Sequence, residues 1–175
     1  MKISFQGLLF LITFLGLHNL WAEDQFVSEY TSLKNCRVLK HPGAPKENDP
    51  NDDSKELCPS KEGYRVYIEG GDDRTWLVLR KGKKETNLQG VGEGSMQFPN
   101  INGSPLEWRY RVLNRQKNLS ALIYRVVGQN GDTFKEVKKL CVVHFEKGDN
   151  YCPLSCVSTN EEARKLADTT ISCPK

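Results

Sequence analysis

The sequence predicts a mainly β protein: an antiparallel sandwich or partly closed barrel of about seven short strands, disulfide-stapled, with one C-terminal α-helix packed on it. Three observations carry this. Short apolar runs with period-two alternation recur between turn residues along most of the chain. A helical stripe occurs convincingly once, near the end. Six cysteines, an even number, all follow an export-type leader, so they belong to an oxidising compartment. Strands do not alternate with helices, which argues against a doubly wound nucleotide-binding sheet.

The leader is Met1–Ala22. Lys2 precedes an apolar run from Gly7 to Leu17, and Leu20-Trp21-Ala22 ends in the small residue that cleavage needs. The run is shorter than the about 20 residues that span a bilayer, so a cleaved signal peptide is expected and no transmembrane anchor. Of 175 residues, 153 remain as a single β-rich domain, 23–175. The leader removes one of 25 basic residues, leaving 24 against 22 acidic ones. So small an excess does not point to nucleic acid or to an anionic membrane surface.

Glu23–Lys40 has weak strand character at Arg37-Val38-Leu39, and His41–Glu56 (HPGAPKENDPNDDSKE) reads as an acidic, proline-rich loop. Tyr64–Glu69 reads as a strand with Tyr64, Val66 and Ile68 on one face, turned by Gly70-Gly71-Asp72-Asp73 into Thr75–Arg80. Lys81-Gly82-Lys83 turns again into Glu85–Leu88, and the glycine-rich loop Gly90–Gly94 runs on to Phe98-Pro99. Leu106–Val112 is the cleanest strand: Leu106, Trp108, Tyr110 and Val112 point one way, and Glu107, Arg109 and Arg111 the other. Ala121–Val127 is a more buried strand, and Gly128–Asp132 turns towards a last hairpin, Leu140–Phe145 with Tyr151–Val157. The helix follows, capped by Thr159 or Asn160, with Glu161 and Glu162 in its first turn and Ala163, Leu166 and Ala167 as its apolar stripe.

A two-residue primed turn at Gly148-Asp149 would set Cys141 directly across from Cys156. Cys152, placed by simple alternation on the face of Cys156, would then meet Cys173 beyond the helix, and Cys36 would close the acidic loop with Cys58. An exchange of partners between Cys152 and Cys156 remains open on this reasoning.

Several patterns invite chemistry. Cys141, His144, Cys152 and Cys156 have spacings that can serve zinc, but residues 141 and 144 face opposite sides of a strand. Asp49–Ser54 opens like a calcium loop, yet it lacks the sharp-turn glycine, and Ser60 stands where a bidentate Glu is needed. Gly90–Ser95 makes neither a dinucleotide fingerprint nor a phosphate loop, and Ser95 is not in a nucleophile elbow. His41 and His144, the two histidines outside the leader, have no neighbouring nucleophile in sequence, and Asp72-Asp73 is ordinary turn chemistry. Arg65, Tyr67, Arg109, Arg111 and Arg125 interleave cations with an aromatic, but the simpler reading is the solvent face of a sheet with Glu69 and Glu107 as partners. Asn102-Gly103-Ser104 and Asn118-Leu119-Ser120 match glycosylation acceptors, the first weakened by Pro105. No catalytic, cofactor or metal residue is nominated.

One wider pattern remains: an early cysteine pair, Gly63-Tyr64, Asp73-Arg74, Phe98-Pro99, Leu106–Arg109, Ala121–Arg125, a cysteine-bearing hairpin, Asn160–Asp168 and a terminal cysteine. It resembles a group of small exported proteobacterial proteins without an assigned activity. The likeness runs from about Cys36 to Cys173. It implies export, a shared fold and a late bridge between Cys152 and Cys173, with Cys141 and Cys156 as an addition. Periplasmic lysozyme inhibitors are a comparable design, but their Ser-Gly-x-x-Tyr loop is missing here. The expected function is therefore a monomeric, non-enzymatic binding module of the bacterial envelope, periplasmic or secreted. It would present loops such as His41–Glu56 and Gly90–Gly94 to an envelope protein or cell-wall ligand. The alternative is a small hydrolase-like enzyme whose site is assembled from residues distant in sequence.

Overall fold

The computed structural model describes residues 25–39, 54–71, 74–91, 96–103, 105–146, 150–169 and 173. The leader, His41–Asp53 with the calcium-like run, Asp72-Asp73, Gly92–Ser95, Ser104 and Gly148-Asp149 lie outside the described residues.

The described strands are β1 (Gln25–Thr31), β2 (Arg37–Val38), β3 (Ser54–Cys58), β4 (Arg65–Gly71), β5 (Arg74–Lys81), β6 (Lys84–Asn87), β7 (Gln97–Ile101), β8 (Leu106–Leu113), β9 (Gln116–Gln129), β10 (Glu136–Glu146) and β11 (Asn150–Val157). The helix is α1 (Asn160–Asp168). Two antiparallel sheets result and no closed barrel, so the sandwich is the architecture adopted. One sheet runs β2-β3-β4-β5-β6; the other runs β1-β8-β9-β10-β11, with β7 paired to the far end of β9.

Alternation explains what is buried. Val66, Leu77 and Leu79 of the smaller sheet meet Leu106, Trp108, Leu122, Tyr124, Val126 and Val143 of the larger one. Fully burying one such aliphatic side chain stabilises by roughly 1.5–3 kcal/mol. Trp108 is completely buried and its indole N–H donates to Thr31 Oγ1 at 2.9 Å, so its polar edge is satisfied. Tyr64 packs between Trp108 and Phe145, with ring centroids 6.1 and 5.0 Å away.

The opposite face of the larger sheet carries a second, smaller core. Ala121, Ile123 and Val142 lie beneath Ala163 and Ala167 of α1. The small alanines allow the helix to approach the sheet closely. Thr159 is the cap: its hydroxyl accepts from Glu162 N at 3.2 Å, and Glu162 accepts from Thr159 N at 3.0 Å. This reciprocal capping box settles the choice between Thr159 and Asn160.

Several expectations are corrected. Ser54–Glu56, expected within the loop, belong to β3, where Lys55 pairs with Glu69 and Glu56 with Ile68. Gly70 and Gly71 pair with Thr75 and Arg74, so they end a strand instead of forming the turn. Phe98-Pro99 lies inside β7. The face of β8 that carries Glu107 and Arg109 is covered by α1, and both residues are only 7% exposed. Arg65 and Tyr67 sit on the smaller sheet while Arg109, Arg111 and Arg125 sit on the larger, so the five share no common face.

The bridges are Cys36–Cys58, Cys141–Cys156 and Cys152–Cys173. Cys141 does face Cys156, but by another route. Glu146 pairs with Asn150, one position off the pairing that joins Cys141 to Cys156, and a bulge at Leu154 restores the register at the cysteines. The surplus residue also separates the two cysteines of β11. Cys156 faces the inter-sheet core beside Cys141, whereas Cys152 faces the helix side beside His144. The expected shared face is therefore incorrect, and Cys152 meets Cys173 because both are on the side of α1.

Candidate functional site

Among the described residues, those singled out by the sequence do not converge on one site. Cys141, Cys152 and Cys156 are all oxidised, which removes the thiolates a zinc site requires. His144 is buried on the helix side opposite Cys152, and its Nδ1 has no hydrogen-bond partner. Burial pushes its pKa down, opposed by the charge of Glu146.

A dense polar cluster lies beneath α1. Arg109 donates from Nε and Nη2 to the two carboxylate oxygens of Asp168 at 3.0 and 2.5 Å, and from Nη1 to Ser28 Oγ at 2.7 Å. Glu107 accepts from Ser28 Oγ and from Arg164 Nε at 2.8 Å, and Arg164 also reaches the Tyr30 hydroxyl at 3.0 Å. The hydrogen bond that Arg164 donates to Glu107 raises the pKa of Arg164 further. Each of these charged groups is paired with another, so the cluster ties the helix to β1 and β8. At the edge between the sheets, hydrogen bonds from Lys117 and Lys61 pull the pKa of Glu29 down to about 2.

The groove is elsewhere. It has a volume of about 570 Å³ and is walled by Phe98, Phe134, Asn100, Val127, Gln129 and Glu136. It occupies the stretch of the larger sheet's outer face that α1 leaves open: Ala121 and Ile123 are under the helix, and Val127 and Gln129 continue the same face beyond it.

Phe98 and Phe134 stand out in two ways. They are 48% and 68% exposed, although both are large apolar residues. Both also hold left-handed backbone, with φ of +47° and +54°, a conformation that costs a bulky residue roughly 1–3 kcal/mol. Each has an identifiable cause. Phe98 sits at a bulge, because Gln97 pairs with Gln129 while Asn100 pairs with Val127. The Asn100 side chain accepts from Thr75 Oγ1 at 3.2 Å and donates to Phe98 O at 3.0 Å, bracing the bulge from the neighbouring sheet. Phe134 closes the β9–β10 turn. Asn130 Oδ1 accepts from Asp132 N and Thr133 N, and Asn130 O accepts from Phe134 N at 2.9 Å. Glycine or asparagine is the ordinary occupant of such a position.

Gly128 brings the wall of the groove in close. A Cβ there would lie 2.6 Å from Gln97 O and 2.8 Å from the Met96 sulfur, so only glycine admits β7 at this spacing. Sequence reasoning took Phe98-Pro99 as the end of a loop and Gly128–Asp132 as a turn, and did not single out Phe134 or Glu136; Gly128 and Gln129 instead end β9, paired with Val137 and Glu136. The available signal was an aromatic residue inside a turn otherwise made of Asn130, Gly131, Asp132 and Thr133.

Fold and groove together define a disulfide-stapled β-sandwich with an open, aromatic-walled cleft on one outer face. No family model, curated protein or solved structure matches the chain.

Proposed function

We propose that the chain is an exported, non-enzymatic binding module of the bacterial envelope, periplasmic or secreted, and that it binds its ligand in the Phe98–Phe134 groove. One observation carries the reading: two exposed phenylalanines wall the same groove, each held in a backbone conformation that works against stability. Folding alone would place a residue such as Gly or Asn there. Three disulfides among the described residues fit an oxidising compartment. No helix among the described residues is long and apolar enough to cross a membrane. The resemblance to small exported proteobacterial proteins agrees with this destination.

The test is retention of envelope material by immobilised chain 23–175, beside a Phe98→Ala/Phe134→Ala variant that keeps its three bridges. Material retained by the parent and released by the variant is the expected result. Equal retention by both removes the groove from the function.

A further inference from the structure

We propose that the ligand of this groove is a neutral saccharide, an inference that rests on reading the groove as a binding site. The volume of about 570 Å³ lies within the usual range for small-ligand clefts, so a short segment of a sugar chain is accommodated. The exposed Phe134 ring, and the face of Phe98 opposite the Arg74 guanidinium that stacks 5.9 Å from its centroid, supply flat apolar surfaces that match the faces of a pyranose where its C–H bonds cluster.

A polar row crosses the strands at the groove, which Gln129 and Glu136 line. Gln97 pairs with Gln129 and Gln129 with Glu136, so two carboxamides and a carboxylate stand side by side across β7, β9 and β10. Planar amide and carboxylate groups donate to and accept from adjacent hydroxyls, the recurring feature of a sugar edge. Asn100, already bonded to Thr75 and to Phe98 O, acts as a positioning residue.

Charge narrows the class. The Glu136 carboxylate is paired with Lys138 at 2.9 Å, on the same strand and the same face, so the polar row offers a ligand no unbalanced charge. An anionic sugar would meet the carboxylate of Glu136, and the nearby cations are already engaged, Lys138 with Glu136 and Arg74 over the Phe98 ring, 5.9 Å from its centroid. An added peptide strand fits less well. The N–H of Ile101 in β7 already donates to Thr75 Oγ1 at 2.7 Å, so that edge is partly occupied.

Isothermal titration of chain 23–175 with N-acetylchitotriose, cellotriose, maltotriose and trigalacturonate tests the proposal. At least one neutral trisaccharide is expected to bind, and trigalacturonate at least about tenfold more weakly, a difference of ~1.4 kcal/mol. Phe134→Ala, in an exposed turn, and Gln129→Ala should each weaken the neutral sugar by about tenfold or more. Arg65→Ala, on the other sheet, should leave it unchanged. No binding of any neutral trisaccharide overturns the saccharide assignment. If the double phenylalanine variant still loses its retained envelope material, the binding reading survives with a different ligand, such as a protein. Neutral binding that is indifferent to both Phe134→Ala and Gln129→Ala overturns the site, and tighter binding of trigalacturonate overturns neutrality.

Discussion

Arg109 holds Asp168 through two parallel hydrogen bonds, at 3.0 and 2.5 Å, and so fixes the last turn of α1 to the middle of β8. The guanidinium is nearly excluded from water, while the carboxylate remains about a quarter exposed. Arg109→Ala should lower the unfolding free energy by about 3 kcal/mol, towards the low end for a broken buried pair because Asp168 can recover some hydration. Arg109→Lys should recover less than half of that, since an ammonium cannot present the fork. Urea unfolding measures both, and a loss below about 1 kcal/mol for Arg109→Ala would mean the clamp contributes little.

The Cys152–Cys173 bridge fastens the chain beyond α1 back to the sheet. Replacing both cysteines by serine should destabilise by about 2–4 kcal/mol. Amide protection over 160–168 should fall more than protection over the Trp108 strand. Thermal unfolding with hydrogen exchange reads both effects. A uniform loss along the chain would show that the bridge acts on the whole fold and not on the helix.

Stability should depend on pH through His144. Burial lowers its folded pKa below the ordinary 6.5. Above that value the imidazole is neutral in both states and its contribution is complete. As pH falls below 6.5 the unfolded chain takes up a proton that the folded chain resists, so stability declines until the folded pKa is passed. His144→Gln should flatten this part of the curve of unfolding free energy against pH. An unchanged slope would assign the dependence to other groups.

Phe134→Gly separates folding from binding. Relief of left-handed strain, roughly 1–2 kcal/mol, outweighs the roughly 0.5–1 kcal/mol of added chain entropy. The variant should therefore be as stable as the parent or more so by about 0.5–1 kcal/mol, and should bind poorly. Lower stability in a denaturant titration would show that the ring supports the fold.

Alternation made much of the sandwich legible. Leu106, Trp108 and Tyr110 are buried in the inter-sheet core as their spacing requires, and the capped apolar stripe of α1 is where Thr159, Ala163 and Ala167 place it. What escaped has a shared cause. The solvated face assigned to Glu107 and Arg109 is buried because a segment more than fifty residues later folds over it, and a period-two pattern says nothing of what covers a polar stripe. The groove escaped for a related reason. It depends on a bulge at Phe98 and a turn at Phe134, two places where the local rule of residue choice is broken, and pattern reading discards such residues as noise.

Leu154 shows how a count can matter more than an identity. With one residue too many for its partner strand, β11 acts as a rivet with a head on each side, one sulfur turned inward and the other outward. Many side chains would be tolerated at this position, but its deletion would rotate Cys152 into the interior and leave Cys173 stranded across the sheet. In any lineage that keeps both crosslinks, the number of residues between these cysteines should drift far less than the residues themselves.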